Sequence, residues 1–449
     1  MEIPISPAPH KLVRRILDPL QRFINMQIAS GIVLLTSLVI ALVWANSAWA
    51  EGYEHLWHTP IGLQIGPYDI TRSLHFWIND GLMTIFFFVV GLEIKREILT
   101  GELASIRKAS LPIFAAIGGM IVPGLIYYVF NAGKESAAGW GIPMATDIAF
   151  ALGVLSLLGN KVPLALKVFL AALAIVDDMG AVVLIAVFYT SDISWMALGI
   201  GAALYAVLWL INLLSIRYLL LYYILGLGMW LALMKSGVHP TIAGVLAATA
   251  IPARPRIRKE DFISANGELM GEYESTREMD DDNEAEEARQ EIVHAIEANC
   301  ESVQTPLQRL ERTLHLPVSF LIMPIFALSN AGIHIDTGMA SHLADPIGLG
   351  IALGLFLGKS LGITFFVWLS VKARLTTLPI GVRWMHIFGV AFLGGIGFTM
   401  SIFIANLAFT NPALLPEAKL AILVGSLASS IAGIVLLNMS RRKKLTVAA

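Results

Sequence analysis

Two adjacent carboxylates, Asp177 and Asp178, stand in the middle of the apolar stretch "LAALAIVDDMGAVVLIAVFY" at residues 170–189. A carboxylate at the centre of a bilayer costs about 2.5–3.5 kcal/mol on insertion scales, and ionisable groups there usually mark ion or proton pathways. Neighbours on a helix point about 100° apart, so one acid can face a cavity while the other faces an adjacent helix. The alternative is a structural pair satisfied by internal hydrogen bonds.

Three further polar residues lie inside apolar segments. Lys359, in "ALGLFLGKSLGITFF", stands near the middle of its segment, too deep to extend its amine to water, so a carboxylate partner is expected. Thr146 and Asp147 follow a Gly- and Pro-containing stretch in "AAGWGIPMATDIAFALG". Such residues interrupt helical hydrogen bonds, which within a membrane is tolerated only beside protein or water.

A second interruption is predicted in "VAFLGGIGFTMSIFIANLAF", although close helix packing is the alternative reading of its glycine cluster. The spans over 109–189 and 346–439 then form two three-helix units, each with an interrupted middle member. This order predicts inverted repeats around a site at the membrane midplane. The ends of broken helices carry partial charges, and Asp147 and Lys359 are suited to offset them.

The composition identifies the class of protein. The 449 residues are 56% hydrophobic and only 14% charged, against about 25% charged in soluble domains. The single cysteine, Cys300, excludes an intramolecular disulfide. The sequence contains no nucleotide-binding loop, metal-ligand cluster or nucleophile–base arrangement, so we expect no cofactor, no enzymatic activity and no nucleic-acid partner.

The predicted fold is an all-α polytopic membrane protein with twelve transmembrane helices, inverted repeats and two broken, crossing helices. The predicted spans are 26–48, 74–94, 109–130, 138–158, 164–189, 194–214, 218–233, 238–252, 315–335, 346–371, 387–410 and 417–439. With both termini in the cytoplasm, 26 of the 31 Lys and Arg residues fall on the cytoplasmic side, as the positive-inside rule requires.

Outside the spans, four segments complete the predicted organisation. Residues 1–25 form a basic amphipathic segment at the membrane surface, and 440–449 form a basic cytoplasmic tail. Within spans 1–8, over 26–252, the loop at about 58–71 is predicted as an external β-hairpin, or as an irregular ordered loop. An acidic cytoplasmic insertion, 253–314, separates these spans from spans 9–12 at 315–439.

We interpret the insertion mainly as a solvated linker, disordered over 262–282 and helical over 283–312, with a regulatory or partner-binding role as the alternative. Charged residues also gather at the cytoplasmic edge of two spans. They are ordinary interfacial charges or the rim of a funnel whose charge changes near neutral pH through a histidine. This rim comprises Glu93, Arg96, Glu97, Glu311 and His315.

The sequence resembles the NhaA-type sodium/proton antiporter family over essentially the whole chain except 255–305. The resemblance is carried by the motifs "VGLEIKRE", "MATDIAFALG", "ALAIVDDMGA", "HPTIAGV", "LGKSLGI" and "GGIGFTMSIFI", in the family's order and spacing. It implies an electrogenic antiporter of the bacterial inner membrane that exchanges protons for Na⁺ or Li⁺ and is activated at alkaline pH. Its partners are these ions, membrane lipids and a second copy of the chain, paired through the hairpin.

The resemblance also implies roles for individual residues. Asp177 and Asp178 match the ion-binding and proton-carrying pair, which binds the transported Na⁺. Thr146 and Asp147 match the unwound part of the fourth helix, and Lys359 matches the lysine of the tenth. The five rim residues align with the family's pH-responsive cytoplasmic surface. Whether Asp177 is a direct cation ligand or a proton carrier paired with Lys359 stays open at this point.

Two other classes of function are compatible with a helical membrane protein. A sodium-coupled symporter of an organic anion also uses broken helices, but it requires polar anchors for the substrate, and the spans offer few. A scaffold or sensor that transports nothing would use the acidic insertion as its output, but it leaves Asp177, Asp178 and Lys359 without a purpose.

Overall fold

The computed structural model of the chain describes residues 9–440 apart from 63, 66, 67, 70, 160, 161, 191, 279–281, 336, 337 and 339–342. Residues 1–8 of the predicted surface segment and 441–449 of the basic tail therefore lie outside the described residues. Residues 9–25 belong to one helix, Pro9–Ala45, which continues without interruption into the first span.

Eight helical runs in the described part of the chain are long and apolar enough to cross a membrane, and a ninth run is a pair of helices bent by 46°. The prediction of a polytopic, predominantly helical membrane protein is confirmed. The nine runs overlap predicted spans 1, 3–6 and 9–12, and the run at the ninth begins at Pro306, within the segment predicted as the end of the insertion. They are Ile28–Ala45, Ile106–Asn131, Glu135–Leu157, Leu164–Phe188, Trp195–Leu213, Pro306–Asn330, Pro346–Lys372, Trp384–Gly394 with Phe398–Ala408, and Pro412–Met439.

Three predicted spans correspond to helices that are short or irregular. Leu219–Met234 has 16 residues and Ile242–Ala250 has nine, about 14 Å of helix for the latter against a hydrocarbon core of about 30 Å. The third is a run formed by Leu74–Phe76, the π-helix Trp77–Leu82 and the helix Met83–Thr100. The count of twelve spans therefore stays a prediction.

Several of the long runs change helix type along their length. A π-helix, which widens the turn, joins two α-helices in the run Pro306–Pro317, Val318–Ile322, Met323–Asn330. The same holds for the run Pro346–Leu353, Gly354–Gly358, Lys359–Lys372. Single turns of this kind are frequent at functional sites, and the second of them immediately precedes the buried Lys359. The last run begins with the 3-10 turn Pro412–Leu414 and continues as Leu415–Met439.

Close backbone contact between two helices sets the depth of Lys359. A Cβ atom added to Gly118, in the helix Ile106–Asn131, would lie 2.2 Å from the carbonyl oxygen of Gly362. Only glycine fits at this crossing, and the two backbones meet one turn from Lys359. The packing therefore fixes the lysine against the interior of the helix bundle.

Short elements follow the first span, in the loop for which a hairpin is predicted. A helix, Ala50–His58, precedes two antiparallel strand pairs. Pro60–Ile61 pairs with Arg72–Ser73, and Gln64–Ile65 pairs with Tyr68–Asp69. The pairs lie one inside the other, as in a hairpin.

The acidic insertion folds as two antiparallel helices, Lys259–Ser275 and Asp282–Val303, joined through a 3-10 turn at Thr276–Glu278. The disorder predicted for 262–282 is therefore wrong, because most of this stretch belongs to the first helix. Few residues of the two helices are buried, among them Ala285 and Ile292 of the second helix. Because charged residues surround these few apolar positions, the sequence pattern did not predict that the two helices pack against each other.

Candidate functional site

Two interrupted helices cross at the centre of the bundle. The first broken helix consists of the 3-10 helix Glu135–Met144 and the α-helix Ile148–Leu157. The second consists of Trp384–Gly394 and Phe398–Ala408. The backbone N–H of Asp147 donates to the carbonyl oxygen of Ile396 at 2.7 Å, so one interruption touches the other.

Glycine is required at this crossing. A Cβ atom on Gly395 would lie 2.2 Å from the carbonyl oxygen of Leu355, and one on Gly397 would lie 2.1 Å from Ser401 Oγ. The glycine cluster therefore lets a neighbouring backbone approach the point where the second helix is broken. Both readings of the sequence pattern, interruption and close packing, describe this segment.

Asp147 lies between the amino ends of two half-helices, Ile148–Leu157 and Phe398–Ala408. Its Oδ1 accepts from the N–H of Phe150 at 3.1 Å, and its Oδ2 accepts from the N–H of Thr399 at 3.2 Å and from the Thr399 hydroxyl. Helix amino ends carry partial positive charge and unpaired N–H groups, which a carboxylate stabilises. One buried acid thus caps two half-helices from different parts of the chain.

Lys359 is fully buried and forms an ion pair with Asp177 Oδ2. Its Nζ also donates to Thr146 Oγ1 at 2.9 Å. The Thr146 hydroxyl lies 2.7 Å from Asp177 Oδ2 and 2.8 Å from the carbonyl oxygen of Gly394, either of which can accept its single proton. The sequence expectation of a carboxylate partner for Lys359 is met by Asp177, from the other three-helix unit.

Asp178 points the other way, into a cavity of about 560 Å³ that we term the acidic cavity. The side chain is 1% exposed, and its Oδ1 has no hydrogen-bond partner among the described residues. Asp177 and Lys359 do not line this space. The acids that do are Glu93, Asp147, Asp178 and Glu311, joined by Thr146 and His315.

The mouth of the acidic cavity lies on the rim face, the face that carries Arg96. Arg96 donates to Glu97 at 2.9 Å and forms a second ion pair with Glu311, which joins the helices Met83–Thr100 and Pro306–Pro317. His315 Nδ1 lies 3.8 Å from Glu93 Oε1. Four of the five predicted rim residues, Glu93, Arg96, Glu311 and His315, therefore line the same cavity as the buried carboxylates Asp147 and Asp178, and Glu97 joins them through Arg96.

Sequence reasoning missed three hydroxyl groups that hold the crossing together. They are Thr399, which bonds Asp147; Ser401, which donates to the Ile142 carbonyl at 2.7 Å; and Ser426, which accepts from the N–H groups of Gly397 and Phe398 at 3.2 Å. Thr399 and Ser401 stand directly after the glycine cluster in "GIGFTMS", which was the available signal. Ser426 is isolated in its span, and no local pattern marks it.

Oxygen atoms dominate the polar groups at the bottom of the acidic cavity. Carboxylate and hydroxyl oxygens are the ligands preferred by hard cations, while a buried carboxylate can take up a proton instead. No group of three or more His, Cys, Asp or Glu side chains is arranged to hold a metal ion among the residues that the structure describes. These features define a multi-pass membrane protein whose construction is typical of ion-translocating transporters.

Comparison with known proteins identifies the family. A family model described as "Na+/H+ antiporter 1" matches residues 21–437. The Na(+)/H(+) antiporter NhaA of Oleidesulfovibrio alaskensis is 50% identical over 430 residues, which cover 96% of each chain. Na(+)/H(+) antiporter NhaA 1 of Saccharophagus degradans is 49% identical over 432 residues, 95% of this chain and 93% of that one. The chain belongs to the Na+/H+ antiporter 1 family.

Proposed function

We propose that the protein exchanges Na⁺ for protons across the bacterial inner membrane, by competition of the two ions for Asp178. The observation that carries this proposal is the different setting of two adjacent acids. Each acid has one buried oxygen without a hydrogen-bond partner among the described residues, but Asp177 is neutralised by Lys359, whereas Asp178 lines the acidic cavity. The ionised Asp178 is then the negative charge that an entering cation can neutralise.

The second carboxylate provides a second step. Asp177, Thr146 and Lys359 share one hydrogen-bonded cluster, so a cation that draws Asp177 away from Lys359 leaves the ammonium group without its counter-charge. A buried, unpaired ammonium group is costly and tends to release its proton. This geometry favours the Lys359–Asp177 pair as the carrier of the second proton, which leaves from the Lys359 ammonium group when the cation takes Asp177 as a ligand. Exchange of this proton and the one from Asp178 for one Na⁺ or Li⁺ is electrogenic.

Alternating access requires a framework that can expose Asp178 to either side. We propose twelve spans, made of the nine long runs together with Leu74–Thr100, Leu219–Met234 and Ile242–Ala250. An even number places both termini on one side, and the distribution of Lys and Arg assigns that side to the cytoplasm. The rim face is then cytoplasmic, and the acidic cavity opens inward.

The two three-helix units are proposed as inverted repeats. The first is Ile106–Asn131, Glu135–Leu157 and Leu164–Phe188, and the second is Pro346–Lys372, Trp384–Ala408 and Pro412–Met439. Each has its interruption in the middle helix, and the two interruptions are hydrogen-bonded to each other. A site between two such units can be exposed to either side by moving the units together.

The rim and the hairpin complete the proposal. Glu93, Arg96, Glu97, Glu311 and His315 adjust the charge at the cavity mouth, and thus the local cation concentration, as pH changes. The paired strands at 60–73 leave edge groups through which a second copy can extend the ribbon, which supports a homodimer.

The decisive experiment compares Asp178→Asn with the wild type in vesicles, where a pH gradient drives Na⁺ exchange. We expect a loss of at least 100-fold in the rate, because the amide cannot neutralise a cation. The matched control is Asp261→Asn, an exposed acid of the insertion, which should exchange Na⁺ at the wild-type rate. A near-normal rate for Asp178→Asn rejects the site.

Competition also predicts a pH dependence with a defined sign. A proton must leave Asp178 before Na⁺ binds, so the apparent KM for Na⁺ should rise as pH falls, by up to tenfold per unit for each competing proton. Adding Na⁺ to the purified protein should release protons into an unbuffered solution. If no proton release occurs, the protein does not work by antiport competition, and symport becomes the better explanation.

A further inference from the structure

Three helical runs extend from the acidic cavity in the direction away from the rim face. Along each of them, a cavity-lining residue is followed first by a phenylalanine and then by an asparagine. In Phe398–Ala408, the cavity-lining Met400 is followed by Phe403 and Asn406 at intervals of three residues. These intervals keep the three side chains near one side of the helix. They place the last of them about 9 Å beyond the first.

The second helix repeats this order. In Met323–Asn330, Met323 lines the acidic cavity, Phe326 comes one turn later and Asn330 one turn after that. The third run, Trp77–Leu82 with Met83–Thr100, has the same order but the opposite chain direction. Val90 lines the cavity, Phe87 comes one turn earlier in the chain, and Asn79 comes two turns before Phe87. The cavity floor is therefore backed by an aromatic layer and then by a layer of amides.

The aromatic layer is centred on Phe403, which is 1% exposed. Its ring centroid lies 5.4 Å from that of Phe87 and 6.1 Å from that of Phe326, both fully buried. The ring of His239 meets it edge-on at 5.9 Å. Phe403, Phe87 and Phe326 therefore form an apolar layer, which we term the Phe403 plug. It separates the cavity floor from the far face, which is the face opposite the rim face. An apolar constriction of this kind excludes water and ions.

The amide layer is centred on Asn330, which is fully buried. Its Nδ2 donates to Asn79 Oδ1 at 2.7 Å, and its Oδ1 accepts from Asn406 Nδ2 at 2.6 Å. His75 Nε2 lies 3.2 Å from the same Oδ1. The Asn330 side chain thus joins three separate helical runs. We use the term Asn330 hub for Asn330 together with Asn79, Asn406 and His75.

We propose that the Phe403 plug and the Asn330 hub are the closed gate of the far face, and that both separate when Asp178 becomes accessible from that face. Phe403 and Asn406 belong to the second broken helix, whereas Phe87, Phe326 and Asn330 belong to helices outside the two repeat units. A movement of the units against those helices breaks both layers together. Hydrogen bonds between neutral amides are suited to this, because water replaces them at little net cost.

The inference rests on the proposed function, which requires access from both faces, but its test needs no transport. In a protein carrying Cys300→Ser and Met400→Cys, the new thiol lies at the cavity floor. A membrane-impermeant maleimide, added to vesicles of either orientation, reports which face reaches it. We expect fast labelling from the rim face and slow labelling from the far face.

Adding Asn406→Ala removes one donor to the Asn330 hub and should raise far-face labelling about tenfold. Adding Phe403→Ala should raise it at least as much, because the plug loses its central ring. The control is Asn212→Ala, which removes a hydrogen bond of similar length, 2.8 Å to the Ala250 carbonyl, away from both layers. It should leave far-face labelling unchanged. Retained rim-face labelling verifies the fold of each variant.

Two results overturn the gate. One is equal labelling from both faces in the background protein, which would mean that the far face is already open. The other is far-face labelling that neither Asn406→Ala nor Phe403→Ala increases, while rim-face labelling persists. If labelling behaves as expected but Asp178→Asn exchanges Na⁺ normally, the gate stands and the proposed exchange site fails.

Discussion

The ion pair between Lys359 and Asp177 is open to a quantitative test through Lys359→Met. Lys359 is 0% and Asp177 2% exposed, so neither charge has access to water when its partner is removed. Methionine has nearly the length of lysine and preserves packing, so the change isolates the loss of the ammonium group. Removing one member of a buried pair costs about 3–5 kcal/mol, because the other charge stays buried without compensation.

The same reasoning predicts that a second substitution restores stability. Asp177→Asn in the Lys359→Met protein removes the stranded charge, and the amide can still accept the hydrogen bond from Thr146 at the position of Asp177 Oδ2. We expect the double variant to recover most of the loss, since replacing both members of a buried pair is often nearly neutral. The coupling energy between the two sites should therefore be at least about 2 kcal/mol in a double-mutant cycle.

The assay is the free energy of unfolding of the purified protein in detergent micelles, measured for the four proteins of the cycle. Lys372→Met is the matched control: that lysine lies over the Trp368 ring, 4.6 Å from its centroid. Removing such a contact at an exposed position should cost no more than about 1 kcal/mol. If the double variant is as unstable as Lys359→Met alone, the pair is not coupled in the folded protein and the reasoning fails.

Three further predictions follow from other parts of the fold. Asp147→Ala should lower the unfolding free energy by about 2–3 kcal/mol, because two half-helix ends lose their cap, whereas Asp147→Asn should cost less; thermal unfolding of both variants decides this. Gly395→Ala should reduce the yield of folded protein on size-exclusion chromatography, because its Cβ meets a carbonyl oxygen at 2.2 Å, while Gly271→Ala, with nothing within 4 Å, should not. Deleting 262–300 removes twelve carboxylates and two arginines; we expect Na⁺ exchange to persist with a shifted pH midpoint, and a complete loss of folded transporter would contradict this.

The spans and the charged interior were predictable because lipid imposes simple rules. A run of apolar residues long enough to cross a bilayer has few alternatives to a helix, so nine spans could be located from hydropathy. The same rules made Asp177, Asp178 and Lys359 conspicuous, since a charge inside such a run requires a reason. The two interruptions were also predictable from Gly and Pro within apolar segments.

The acidic insertion shows where this reasoning ends. Outside the membrane, helix formation depends on packing as well as propensity, and the seam between Lys259–Ser275 and Asp282–Val303 rests on a few buried positions. Its hydrogen bonds, such as Asn299 to Asn266 at 3.2 Å, join residues far apart in the chain. A local pattern dominated by charge therefore predicted disorder over 262–282, where the helix Lys259–Ser275 is found, whereas Asp282–Val303 lies in the stretch for which a helix was predicted.

The sequence by itself determined the class of protein, the membrane-embedded charges and the segments that must break. The tertiary structure decided the different settings of Asp177 and Asp178, because these settings arise from contacts with distant parts of the chain. Lys359, 182 residues away in the chain, forms an ion pair with Asp177. The packing of the surrounding helices leaves Asp178 facing the acidic cavity. Partners at such separations are set by the crossing of backbones, which residue types in one span cannot specify.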